Sequence, residues 1–99
     1  MQVFLIDPKE KKISAIEIDD GVKGIARLIG FDSIDADEID DNGDALYFDE
    51  SCFIRDQPDA GRFKLDSLAP VAGRGVVASH PVAAPVVTLE ALIGRVRFL

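Results

Sequence analysis

The stretch Ile34-Asp35-Ala36-Asp37-Glu38-Ile39-Asp40-Asp41-Asn42-Gly43-Asp44-Ala45-Leu46-Tyr47-Phe48-Asp49-Glu50 decides how this chain is read. Ile34 and Ala36 alternate with Asp35 and Asp37, and Leu46 and Phe48 alternate with Ala45, Tyr47 and Asp49. That period of two places successive side chains on opposite faces of a strand. Between the runs, Asn42-Gly43 is a hairpin signal, because both residues tolerate positive φ. Ile39 interrupts the alternation, which predicts a bulge before the turn. The centre of the sequence is therefore an antiparallel hairpin.

Working outward, an apolar run from Val3 to Ile6 meets turn chemistry at Asp7-Pro8-Lys9-Glu10 and resumes at Ile13, Ala15, Ile16 and Ile18, which reads as a second hairpin. Asp19 or Asp20 then caps a helix whose Val22, Ile25, Ala26 and Ile29 share one face, and Gly30 ends it. Residues 55–61, with Pro58 and Gly61, form a loop. Phe63 and Leu65 mark a short strand, and Ala72 to Ala78 a further strand with a tight backbone approach at Gly73 and Gly75. Thr88 caps a short helix from Leu89 to Ile93, Gly94 ends it, and Val96 and Phe98 point inward from a last strand whose Arg95 and Arg97 face out. The expected fold is α+β, a small mixed and mostly antiparallel sheet of five to seven short strands with one main helix and a short C-terminal helix. The 99 residues have room for one core, so 1–99 reads as a single domain.

Net charge is −7. Nine acids and no base lie between Asp32 and Glu50, whereas the rest of the chain holds nine acids and eleven bases. Phosphate neutralisation needs Lys and Arg, so this balance predicts no direct nucleic-acid binding and no docking on anionic membranes. Cys52 is the lone cysteine, which leaves no disulfide framework and points to a cytoplasmic address. Met1 to Asp7 lacks the charged start and long apolar stretch of a signal peptide, and Gly75 to Leu89 is too short and Pro-broken to span a bilayer.

Ile6-Asp7-Pro8, Gly43-Asp44 before Leu46-Tyr47-Phe48-Asp49-Glu50, Leu68-Ala69-Pro70 with Val71-Ala72-Gly73-Arg74-Gly75-Val76-Val77, and Val87-Thr88-Leu89-Glu90 running to Val96-Arg97-Phe98-Leu99 together form a pattern along nearly the whole chain. The pattern resembles small uncharacterised proteins of bacteriophages and other mobile elements. The resemblance implies a mobile-element origin and a cytoplasmic site of action, and no particular activity. The apolar stretch from His80 to Val87 departs from it, because charged residues are expected there.

Chemistry-bearing residues are few. His80 beside Ser79 and Cys52 beside Ser51 are too isolated in sequence to assemble a nucleophile and its base; they read as a solvated loop histidine and a core cysteine, neither beside a second titratable group, so a hydrolase of unknown type is the weakest reading and no catalytic residue is assigned. Gly73-Arg74-Gly75 lacks the spacing of a phosphate loop and reads as a bulge. Glu38, Asp40, Asn42, Asp44 and Asp49 stand in an approximate calcium-loop register, which makes a small calcium-binding module the alternative function. Against it, the flanks read as strands where that motif requires helices.

The favoured reading assigns the same segment to protein recognition. Carboxylates at i and i+2 on a strand, such as Asp35 and Asp37, lie about 6.6 to 7 Å apart, close to two phosphate rises of roughly 3.4 Å. An acidic ridge of Asp35, Asp37, Glu38, Asp40, Asp41, Asp44 and Asp49 thus fits a nucleic-acid-binding groove on a partner protein with a basic surface. The expected function is that of a non-enzymatic accessory protein needing no cofactor. The exposed Val and Ala of Pro81 to Val87 offer a further contact, for a homodimer. The core is expected to contain Ile6, Ile16, Ile25, Ile29, Leu46, Phe48, Val77 and Phe98.

Overall fold

The computed structural model describes residues 1–55 and 59–99. Of the loop expected over 55–61, residues 56–58 lie outside the described residues. The described elements are β1 (Gln2–Asp7), β2 (Lys12–Glu17), α1 (Val22–Ile29), β3 (Ile34–Glu38), β4 (Asp44–Asp49), β5 (Arg62–Leu65), β6 (Val71–Ala72), β7 (Gly75–Ser79), α2 (Leu89–Arg95) and β8 (Val96–Phe98). Strand order is β2-β1-β7-β4-β3 in a five-stranded sheet and β6-β5-β8 in a three-stranded one, with every pairing antiparallel. The fold is α+β, with a main helix and a short C-terminal helix. In place of one sheet of five to seven strands, eight described strands divide between two.

The division follows from the apolar content of the central strands. Every residue of β4 is buried, and β7 is buried from Gly75 to Ala78, so both faces of the large sheet need covers. Helix α1 covers one face, where Val3, Leu5, Ile25, Ile29, Ala45, Tyr47, Val76 and Ala78 pack together. The small sheet and α2 cover the other, burying Phe4, Ile6, Leu46, Phe48, Phe63, Leu65, Val77 and Leu92. Of the core residues expected from sequence, Ile16 and Phe98 are only half-buried.

The strand expected from Ala72 to Ala78 splits at Gly73, whose φ of 85° turns the chain out of the small sheet and into the large one. Two residues later the sheets touch. A Cβ on Gly75 would lie 2.6 Å from Phe63 Cζ, so only a glycine lets the ring of β5 rest on β7.

Helix α1 ends as its sequence predicts, with Gly30 at φ 93° donating its N–H to Ala26 O at 2.8 Å. Its start differs. Gly21, at φ 54°, occupies the cap position without a side-chain bond, and Asp20 pairs with Arg27 at 2.8 Å instead. Val22 is 54% exposed, and the buried stripe is completed by Ile18, whose Cβ would stand 3.1 Å from a Cβ on Gly24. At α2, Thr88 Oγ1 accepts the Ala91 N–H at 3.2 Å as expected, but the helix runs through Gly94 to Arg95.

Candidate functional site

The hairpin read from the sequence exists, with Ile34 opposite Asp49 and Glu38 opposite Ala45. Its turn is longer than an Asn-Gly pair. Ile39 N–H donates to Asp44 O at 3.0 Å, which leaves Asp40 to Gly43 as the loop, and only Gly43 has positive φ, at 97°. Asn42 contributes through its side chain, whose Oδ1 accepts the Asp44 N–H at 3.0 Å. No bulge occurs at Ile39. It continues the phase of Asp35 and Asp37 and packs against the core under the small sheet.

Strand β3 is one of the two edge strands of the large sheet, β2 being the other. Glu50 N–H bonds Ser33 O and Ile39 N–H bonds Asp44 O, so by alternation Asp35 and Asp37 turn their backbone groups toward β4. Ile34, Ala36 and Glu38 turn theirs to the open side. One of these is already occupied, since Asp35 Oδ1 accepts the Ala36 N–H at 2.8 Å.

The acidic segment separates into two populations. Asp40, Asp44 and Asp49 are engaged within the fold, which corrects their place in an outward ridge. Asp40 accepts both Arg95 Nη1 at 2.9 Å and Nη2 at 3.1 Å, and that hydrogen bonding holds its carboxyl below the usual range. Asp44 is 0% exposed and accepts the backbone N–H groups of Val86 at 2.8 Å and Val87 at 2.7 Å. Asp49 is 1% exposed; burial pushes its carboxyl up, but two bonds from Arg55, at 2.7 and 3.2 Å, and one from the Ser51 N–H bring it below the usual range. Arg55 in turn lies over the Phe31 ring at 3.8 Å.

These engagements disperse the calcium-loop set. Asp44 faces the small sheet, Asp49 faces α1, and Asp40 is held by Arg95. Among the described residues, no group of three or more His, Cys, Asp or Glu stands where it could hold a metal ion.

The second population is Asp32, Asp35, Asp37, Glu38, Asp41 and Glu50, all exposed and without an ion-pair partner among the described residues. Asp35 and Asp37 share a face with Phe48 and Leu46, directly opposite them on β4. Glu38 belongs to the other face, where it lines a cleft of about 230 Å³ with Ala36, Gly43, Ala45 and His80.

His80 departs from the expectation of a solvated loop residue with no titratable neighbour. Its Nδ1 lies 3.1 Å from Tyr47 Oη, and that hydroxyl also donates to Ser79 O at 3.1 Å. The phenol has one hydrogen for two neighbours, so both bonds form together only when the ring carries its proton on Nδ1. Burial raises the Tyr47 hydroxyl above its ordinary pKa. Cys52 belongs to the opposite core and is 3% exposed, so the central sheet separates it from the Tyr47–His80 pair. Burial pushes its thiol up and keeps it in the unreactive form.

The sequence reading also missed Arg95, expected to face solvent from a strand. It ties α2 to both Asp40 and Asp66, and its hydrogen bonds to Asp66 and Asp40 raise its pKa. Arg74, between the two glycines, reaches Leu28 O at 3.3 Å and Asp7 at 3.5 Å. Comparison with protein-family models, with curated proteins and with solved structures found no match to this chain. Among the described residues, no helix is long and apolar enough to cross a membrane.

Proposed function

We propose that this protein is a non-catalytic accessory protein of a bacteriophage or mobile element that docks on a basic protein surface through the β3 edge of its large sheet. The observation that carries this reading is the partition of the acids. Three are consumed by the fold, and six remain exposed on and around β3 without an ion-pair partner among the described residues.

Asp35 and Asp37 form the centre of the docking edge, with Asp32, Asp41 and Glu50 flanking them. Their spacing of about 6.6 to 7 Å suits cations arranged to hold successive phosphates, so the partner's surface is a nucleic-acid-binding groove. Recognition runs through side chains. The Asp35 carboxylate occupies the Ala36 N–H that strand addition would need, which keeps the edge from pairing indiscriminately. Complementary charge speeds and orients such docking.

The test immobilises the wild-type chain and the Asp35→Asn/Asp37→Asn variant and passes bacterial host lysate over both. The expected result is a basic protein that the wild type holds, the variant loses and added duplex DNA displaces. Equal retention by both chains overturns the reading.

A further inference from the structure

The outer face of the small sheet carries a cluster of the opposite sign. Phe63, Leu65, Val96 and Phe98 turn inward to the core, so Arg62, Lys64 and Arg97 turn outward. Lys64 and Arg97 stand directly opposite each other on β5 and β8. Like charges in that position are destabilising, and none of the three has an ion-pair partner among the described residues. The fold thus holds an uncompensated basic face whose cost an anionic partner would relieve.

We propose that this basic face is a docking site for the acidic β3 edge of a second copy of the chain. The inference rests on the proposed role of that edge and names one partner for it. Two features commit it to a second copy. Arg62 and Lys64 are i and i+2 on β5, as Asp35 and Asp37 are on β3, so both pairs repeat at about 6.6 to 7 Å. Neither pair finds its complement among the described residues, although both are exposed or half-exposed.

An edge meeting a face is a heterologous contact, so a dimer keeps one unused face on one copy and one unused edge on the other. Assembly therefore grows beyond the dimer into a ring or a short filament. Copies of net charge −7 repel at long range, but at physiological ionic strength this falls off within about 8 Å, leaving the local contact to decide.

The test measures mass against protein concentration by light scattering at one physiological ionic strength. Its chains are the wild type, Asp35→Lys/Asp37→Lys, and Arg62→Glu/Lys64→Glu. A control, Lys9→Glu/Lys11→Glu, changes net charge as the basic-face variant does but lies on the β1–β2 turn. Circular dichroism confirms that each is folded, with Asp35→Asn/Asp37→Asn and Arg62→Gln/Lys64→Gln as milder replacements for any reversed chain that is not. The wild type and the control are expected to assemble, and each reversed variant to stay monomeric. An equimolar mixture of the two reversed variants should assemble again, because a positive edge then meets a negative face. Monomeric wild type throughout, or unimpaired assembly by the variants, overturns self-docking. So does a basic face that binds a single-stranded oligonucleotide while the chain stays monomeric. If self-docking fails but lysate capture still depends on Asp35 and Asp37, only the second-copy partner is lost; if that dependence fails too, the docking edge itself falls.

Discussion

The Oδ2 atom of Asp44 accepts the backbone N–H of Val87 at 2.7 Å, while Oδ1 accepts that of Val86 at 2.8 Å. One buried carboxylate at the start of β4 thereby fixes a loop more than forty residues later and delivers Val87 to the core beneath the small sheet. The stretch from Pro81 to Val87, expected to offer an apolar contact surface, is tied to the fold at its far end.

Asp44→Ala should cost about 2 to 4 kcal/mol, because it removes two charge-assisted hydrogen bonds and strands two amide donors. Asp44→Asn should cost less, since its side-chain carbonyl can still accept one of them. Urea unfolding of both variants measures this; a loss below 0.5 kcal/mol (about the noise of a surface change) for Asp44→Ala would mean that the clasp contributes nothing.

Acid sensitivity should track Asp49 and Asp40. Both carboxyls are held below their ordinary value in the folded protein, Asp40 chiefly by its Arg95 hydrogen bond and Asp49 by Arg55 and Ser51 acting against burial. Their contribution is full above the unfolded value of about 3.9 and is lost as pH falls through the lower folded values. Replacing Arg55 with Leu leaves Asp49 buried without its cation, so its carboxyl rises and the variant's loss of stability should be largest near neutral pH and shrink as pH falls and Asp49 takes up a proton. Stability measured against pH for the two chains tests this, and superimposable curves would count against it.

Phe48→Ala should cost about 3 to 5 kcal/mol as a core truncation, because the ring is 5% exposed and packs between the sheets. Near-wild-type denaturant unfolding would contradict that packing.

Calcium should leave the melting temperature unchanged from micromolar to millimolar concentration. Asp40, Asp44 and Asp49 are engaged by Arg95, by two amides and by Arg55, and spreading them over different faces leaves no common centre for an ion. A calcium-dependent rise abolished by neutralising Asp40 and Asp44 would restore the metal reading.

The sequence by itself determined the local elements: the two hairpins, the helix stopped at Gly30, the Thr88 cap and the short strand at Phe63 and Leu65. Period and cap chemistry act between residues a few positions apart, and those distances are visible in a string. It also located all the excess acidity between Asp32 and Glu50. Only the tertiary structure decided which of those acids are free. Asp44 and Asp49 look like their neighbours in the string, but the partners of Asp44 arrive from more than forty residues away, and Asp49 is buried where the turn that follows β4 brings Ser51 and Arg55 back onto it. Tertiary pairing likewise split Val71 to Ser79 between two sheets at Gly73 and turned Arg95 from an outward strand residue into the tie between α2 and Asp40. The basic face exists for the same reason, since Arg62, Lys64 and Arg97 become neighbours only when β8 pairs with β5.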